Sequence, residues 1–129
     1  MPHFFIDNLR KYGTISPETA QLLLPLIRHC TKSKGSLLLR KGQLTTGLYI
    51  LEKGIMRFYY EREGKEITTW FCKENQVAFS SAFFFKIRSF ENIQLLEDSS
   101  VYYVTDADFN QLYKESEEMN TIGRKLSEE

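Results

Sequence analysis

Glycine residues interrupt the middle of this chain at short intervals. The stretches between them are rich in β-branched and aromatic residues, and the glycines stand at Gly35, Gly42, Gly47, Gly54 and Gly64. Glycine accepts positive φ angles that other residues avoid, so it suits the corners where strands reverse direction. Short strands separated by regular turn residues are typical of an antiparallel barrel or sandwich. The pattern therefore predicts a mainly β domain with tight corners.

Strand-like segments occur on both sides of a polar turn. The turn is predicted at residues 61–66, a run of charged residues that contains Gly64 and suits a hairpin connection. The strands are predicted at residues 48–51, 55–60, 67–71, 93–96 and 100–104.

The segment before the first strand has the features of a helix start. Ser16 is a favoured N-cap residue, and Pro17 suits the first helical position. Pro25 predicts a kink or an end of the regular helix near Leu24. The apolar residues of this segment recur at helical spacing, at Leu22, Leu23, Leu26 and Ile27.

Two further helices are predicted after the last strand. Thr105 and Asp108 have nearly the spacing of a capping box, and Ser116 can cap the following helix. That helix carries a narrow apolar stripe at Met119, Ile122 and Leu126. Such a stripe is typical of a two-helix contact. The alternative is that the stripe packs onto its own domain. No glycine or proline follows the stripe, so we expect a helix that is cut short.

Composition and charge limit the possible classes. The chain has 129 residues with 17 basic and 17 acidic side chains, which suits one domain and disfavours direct DNA contact. Cys30 and Cys72 form no CxxC pair, so we expect reduced thiols, no iron–sulfur cluster and no metal site. We do not expect His29 to be a haem ligand. No signal peptide or membrane span is recognisable, which predicts a cytoplasmic protein without membrane contact.

The order of these elements resembles the cyclic-nucleotide-binding fold, and more narrowly the sensor domain of Crp/Fnr-type transcription regulators. The segments that carry the resemblance are LLRKGQLTTGLYILEKGIMRFYY (residues 38–60) and IQLLEDSSVYYVTDADFNQLY (residues 93–113). The resemblance implies an antiparallel β-roll, a jelly-roll-like barrel, with an N-terminal helix over residues 1–115. It implies that residues 116–129 start a truncated C-terminal dimerisation helix. Met119, Ile122 and Leu126 would then form a homodimer contact.

In this family a phosphate-binding cassette lies between the last strands of the roll. The cassette contains a Gly-Glu pair, a short helix, and an arginine followed by a small residue. Its Glu binds the ribose hydroxyl and its Arg pairs with the cyclic phosphate. Aligned from Ile93, the Gly-Glu pair falls at residues 78–80 and the arginine position falls on Ser89. Arg88 stands one residue early, and a slip of one residue in an extended segment points a side chain to the opposite face.

The cassette region is therefore expected to be degenerate. Its candidate ligand-binding residues are Phe79, Ser80, Ser81, Ala82, Arg88 and Ser89. A cyclic nucleotide is a possible ligand through the resemblance, but an unpaired phosphate buried among phenylalanines costs on the order of a few kcal/mol. We therefore expect no measurable binding of cyclic AMP or cyclic GMP. Five phenylalanines either fill the old pocket as core or line a pocket for an apolar or aromatic effector: Phe79, Phe83, Phe84, Phe85 and Phe90.

The resemblance implies an effector-sensing domain of a transcription regulator, which contacts DNA only through a helix-turn-helix domain absent from this chain. A stand-alone ligand-binding or interaction domain of the same fold is the alternative. An enzyme on a cupin-like roll ranks last, since neither histidine lies in a predicted strand. No catalytic triad, carboxylate pair or phosphate-binding loop is recognisable, so we do not expect an enzyme. The identity of any effector is left open.

Overall fold

The computed structural model describes residues 2–44, 46–80, 82–85 and 87–128, except for the side chains of Ala82 and Phe85. The helices are α1 (His3–Leu9), α2 (Pro17–Leu23), α3 (Ala82–Phe85), α4 (Asp106–Glu115) and α5 (Glu117–Ser127), with a 3₁₀ turn at Leu24–Leu26. The strands are β1 (Arg28–Lys32), β2 (Leu37–Leu39), β3 (Gly47–Lys53), β4 (Met56–Arg62), β5 (Lys65–Cys72), β6 (Val77–Ala78), β7 (Asn92–Leu95) and β8 (Ser99–Thr105). None of the described helices is long and apolar enough to cross a bilayer.

The strands form two four-stranded antiparallel sheets. Their orders are β1-β8-β3-β6 and β2-β7-β4-β5, which confirms the predicted mainly β fold with flanking helices. The hairpin between β4 and β5 turns at Glu63 and Gly64, whose φ angles are 53° and 79°. Two successive positive φ angles are the mark of a type I′ turn, which matches the twist of the flanking strands. All five predicted strands are confirmed, with slightly different ends.

The N-terminal helix ends where proline predicts it. Ser16 accepts a hydrogen bond from the backbone N–H of Thr19 and caps α2. Pro25 lies in the 3₁₀ turn that follows. Ile27 is already extended and leads into β1, a strand that the sequence analysis missed. The regular helix therefore ends at Leu23, about one turn before Ile27, the last residue of the predicted apolar stripe. Proline cannot continue a regular helix.

Side chains of β3 alternate between two apolar cores. Tyr49 and Leu51 point into the space between the two sheets. Leu48 and Ile50 point to the opposite side, where they contact a second core formed with the helices. This alternation follows from the two-residue period of an extended strand. Strand β3 is thus covered on both faces.

The apolar stripe of α5 lies inside the chain's own core. Met119, Ile122 and Leu126 are 0%, 0% and 1% exposed, respectively, and belong to the same cluster as Phe5 and Phe109. Within this chain the stripe packs onto its own domain, which is the alternative to the predicted homodimer contact. Spacing identifies which side of a helix is apolar but not what covers that side.

A sharp corner at Ser116 directs α5 back onto the domain. The backbone N–H of Ser116 donates to Leu112 O at 2.8 Å, and its side chain accepts from Met119 N at 3.2 Å. One residue thus ends α4 and caps α5, as its sequence position predicts. At Gly123 an added Cβ would lie 2.6 Å from Tyr113 Cδ2, so the two helices approach closely there.

A carboxylate at the start of α5 anchors that helix to α2. Glu118 Oε1 accepts hydrogen bonds from Ser16 N at 3.0 Å, Ser16 Oγ at 2.9 Å and Thr19 Oγ1 at 2.6 Å. These bonds, first that from the Thr19 hydroxyl and then those from Ser16, lower the pKa of Glu118. The ionised carboxylate therefore stabilises the contact between the two helices.

Replacing Gly54 by valine should destabilise the fold far more than replacing Lys65 by alanine. Gly54 has a φ of +120°, and a Cβ there would lie 2.7 Å from Ser99 Cβ. We expect a loss of about 2–4 kcal/mol of unfolding free energy for Gly54→Val. Lys65 is exposed in the hairpin, so Lys65→Ala should change stability by less than about 0.5 kcal/mol. Denaturant unfolding measures both, and equal stabilities would contradict the assigned corner.

Replacing Glu118 by glutamine should change how stability depends on pH. Because the folded state lowers the pKa of Glu118, its contribution is present above the unfolded pKa and is lost as pH falls through the folded value. Melting temperatures measured from about pH 7 down to about pH 3 should therefore converge for wild type and Glu118→Gln at the acid end. Glu117→Gln, which changes an exposed neighbour, is the control. A constant difference between wild type and Glu118→Gln at every pH would refute the anchor.

Candidate functional site

The cassette region contains a short helix where the sequence analysis places one. Helix α3 lies between β6 and β7, and the N–H of Phe83 donates to Ser80 O at 2.9 Å. Ser81 lies outside the described residues. The connection between these strands therefore keeps the strand–helix–strand order implied by the resemblance.

Two serines of the region face each other in the interior. Ser80 and Ser89 are buried, and their hydroxyl oxygens lie 3.5 Å apart. The Ser89 hydroxyl donates to Glu91 O at 2.7 Å and accepts from Glu91 N at 3.2 Å. Its side chain therefore satisfies the backbone of its own loop. The Ser89 hydroxyl is therefore already used in hydrogen bonds within the loop.

The backbone of Ser89 ties the cassette to the loop before β3. Ser89 N donates to Gln43 O at 2.9 Å, and Gly42 N donates to Ser89 O at 2.7 Å. Arg88 is exposed, and its Nη1 donates to Gly42 O at 3.0 Å. The guanidinium thus binds the same loop from outside. The structure brings Ser80 and Ser89 together but places Arg88 on the surface.

The phenylalanines fall into more than one environment. Phe83 is fully buried, and its ring centroid lies 4.9 Å from that of Phe84 and 5.2 Å from that of Phe109. Phe79 packs against Phe84 at 5.3 Å, edge to face. Phe90 is exposed over Tyr60 at 6.3 Å. The buried rings form a network of the edge-to-face type that aromatic pairs favour, so part of the set is core.

A cavity of about 460 Å³ opens beside this aromatic network. Phe79 contributes to its wall, so the same cluster that fills the core also borders open space. Strands β4 and β5 contribute two rings to the wall, and α5 closes it from another side. The residues that define it are Tyr12, Phe58, Trp70, Phe79, Glu91 and Leu126, with Thr69 and Val77 between them. We call this space the apolar cavity.

The apolar cavity has an unusual charge character for a nucleotide site. Glu91 is its one carboxylate, and no lysine or arginine is among its described lining residues. Glu91 is buried. A volume within the range of about 300–1,000 Å³ and mostly apolar walls suit a small apolar ligand. A phosphate group has no cationic partner among the described residues of these walls.

Trp70 provides a built-in reporter of this cavity. It is the chain's single tryptophan, it lines the cavity, and its ring lies 5.3 Å from that of Phe58. Its exposed fraction of 46% places it where the cavity meets solvent. Any molecule that enters should change the surroundings of this indole.

Of the residues that line the apolar cavity, only Phe79 was predicted to bind a ligand. Leu126, which also lines it, was predicted to form a dimer contact. Phe58 and Trp70 were read only as strand residues, although they are cross-strand partners in the β4–β5 pairing. Cross-strand partners lie on one face of a sheet. The register shifts between Phe58 and Tyr59, so counting outward from the turn at Gly64 would pair Phe58 with Thr69 and would miss this contact. No comparable sequence pattern identifies Glu91 or Tyr12 as residues that line the cavity.

Both cysteine thiols are free in the described structure. Burial raises the pKa of Cys72 to about 12 and also raises that of Cys30. Thiols with raised pKa values stay protonated at neutral pH and are weak nucleophiles. The described residues include no group of three or more His, Cys, Asp or Glu side chains that could hold a metal ion.

Comparison with protein families decides the assignment. The profile of the cyclic nucleotide-binding domain family matches residues 31–116. This chain belongs to the cyclic nucleotide-binding domain family. The matched range includes β2–β8 and the cassette region, so the family assignment covers most of the residues that line the apolar cavity. Among curated protein sequences, none matches at a significant level.

Solved structures share the fold at low sequence identity. The sensor domain of the transcriptional regulator DNR from Pseudomonas aeruginosa has a TM-score of 0.79 and 17% identity, over 98% of this chain and 91% of that one. A cyclic nucleotide-binding domain from Methylobacillus flagellatus has a TM-score of 0.82 and 11% identity, over 98% and 74%. The catabolite activator protein of Thermus thermophilus has a TM-score of 0.74 and 16% identity, over 93% and 55%. The chain thus spans about half of that activator's length.

Proposed function

We propose that this chain is the effector-sensing domain of a Crp/Fnr-type transcription regulator whose cassette does not hold a cyclic phosphate. Its effector would be a non-nucleotide molecule with an apolar body that enters the apolar cavity. The observation that carries the proposal is the composition of that cavity, which is mostly apolar, has one carboxylate and has no cation among its described lining residues.

The chemistry of the cassette argues against a cyclic nucleotide. The phosphate of such a ligand needs a charge-assisted donor, and Arg88 donates outward to Gly42 O. At the position that aligns with the family's arginine, Ser89 already uses its hydroxyl within the loop. A phosphate in the apolar cavity would also lie near the buried carboxyl of Glu91, with no cation among the described lining residues. Each of these features lowers affinity for an anion inside the cavity.

The position of the cavity suits a sensor. Leu126 from α5 and Phe58 from β4 line the same space, so a ligand there would touch both the roll and the helix. A ligand that binds one arrangement of two packed elements better than another shifts their equilibrium. We infer that binding biases the position of α5, and that DNA is reached through a helix-turn-helix domain outside these residues. A cytoplasmic location belongs to the same proposal.

The homodimer implied by the family needs a contact surface other than the buried stripe. Within the described part of α5, the exposed positions are polar, and they include Glu117, Arg124 and Lys125. No large apolar side chain is exposed along this stretch. If the regulator dimerises through its C-terminal helix, we expect the first turns of α5 to contribute little to the contact.

The cavity should bind a neutral apolar probe and reject cyclic nucleotides. Octan-1-ol should change Trp70 fluorescence saturably, and Thr69→Phe, which narrows the cavity, should weaken that change. Thr31→Phe adds the same ring on β1 and is the control. Calorimetry with cyclic AMP and cyclic GMP should detect no binding. A micromolar dissociation constant for either nucleotide, roughly −8 kcal/mol, or an octan-1-ol titration without any fluorescence change, would refute the proposal.

A further inference from the structure

A second cavity shares a lining residue with the apolar cavity but is rich in cations. Its volume is about 450 Å³, and three of its lining residues are cations, Arg10, Lys11 and Lys125. No acidic side chain is among its described lining residues. We call it the basic cavity. It is formed by the loop between α1 and α2 and by one residue of α5.

The two cavities share a wall. Tyr12 lines both of them. Helix α5 places consecutive residues into the two spaces, Leu126 into the apolar cavity and Lys125 into the basic one. The α1–α2 loop is held close to α5, since a Cβ added at Gly13 would lie 3.0 Å from Ile122 Cγ1. A molecule that lies along Tyr12 would reach the lining residues of both cavities.

Hydrogen bonds hold two of the cations in the basic cavity, Arg10 and Lys11. Arg10 Nη1 donates to Asp7 Oδ1 at 3.2 Å and Nη2 donates to Ile15 O at 3.1 Å. Lys11 Nζ donates to Asn8 Oδ1 at 2.9 Å, and a lysine has three donors. The side chain of Lys125 makes no hydrogen bond or ion pair with the other described residues, although its carbonyl accepts from Glu128 N. Asp7 offsets one of the three charges, so an excess of positive charge is left.

The contrast between the cavities defines a class of ligand. A carboxylate at the end of an apolar body in the first cavity would meet Lys11 and Lys125 in the second. We propose that the effector is amphipathic, with its apolar part in the apolar cavity and an anionic head in the basic cavity. This inference rests on the proposed function, because it requires the apolar cavity to bind a ligand.

A series of probes with one chain length tests the inference by Trp70 fluorescence. The probes are octanoate, octan-1-ol and octylammonium, which differ only in the charge of the head. Octanoate should bind about three- to tenfold more tightly than octan-1-ol, as expected for exposed charge contacts, and octylammonium should bind most weakly. The preference for octanoate should shrink as salt is raised, since salt screens exposed charges.

Variants identify the source of the preference. Lys11→Ala combined with Lys125→Ala should bring octanoate affinity down to that of octan-1-ol and leave octan-1-ol affinity unchanged. Arg124→Ala removes an exposed cation of α5 outside the cavity and should leave the preference intact.

The outcomes separate the two proposals. If octan-1-ol binds but octanoate binds no better, or if the preference survives the double variant, the anionic-head inference is overturned and the proposed function stands. If neither probe changes Trp70 fluorescence, the proposed function fails together with this inference.

Discussion

The burial of β3 on both faces is the constraint on which the rest of the molecule depends. Its side chains alternate between two separate cores. Leu51 lies between the two sheets, and Ile50 packs against the helices. Because one strand serves both cores, the helices cannot shift far without disturbing the roll. Close packing makes such shared elements respond in discrete steps. Close packing in both cores therefore couples the position of the helices to that of the roll.

Helix α5 connects this constraint to the site. Its apolar side lies in the helix-facing core, its first turn is anchored by Glu118 to Ser16 and Thr19, and Leu126 near its end lines the apolar cavity. One short helix thus carries an anchor, a core contact and a cavity wall. If the proposed ligand binds in the apolar cavity, it contacts the end of α5 opposite to the end that Glu118 anchors.

Local chemistry made much of the fold predictable. Ser16, Thr105 and Ser116 cap their helices as expected, because capping needs only a side-chain oxygen and the next three residues. The turn at Gly64 needs only positive φ angles. The site was less predictable, since its walls come from segments distant in sequence, such as Tyr12, Phe58 and Leu126. The stripe on α5 was read correctly as apolar, but its partner depends on the corner at Ser116. Arg88 was located in the sequence, but its contact with Gly42 O depends on the shape of a neighbouring loop.

Amide hydrogen exchange of α5, measured across a range of protein concentrations, tests the central claim that this helix is docked on its own domain. The account predicts that the amides of Ile122, Gly123 and Leu126 are strongly protected, and that their protection is the same at low and high concentration. Protection that appears only as concentration rises would show that these residues are covered by a second copy of the chain, and would contradict the account.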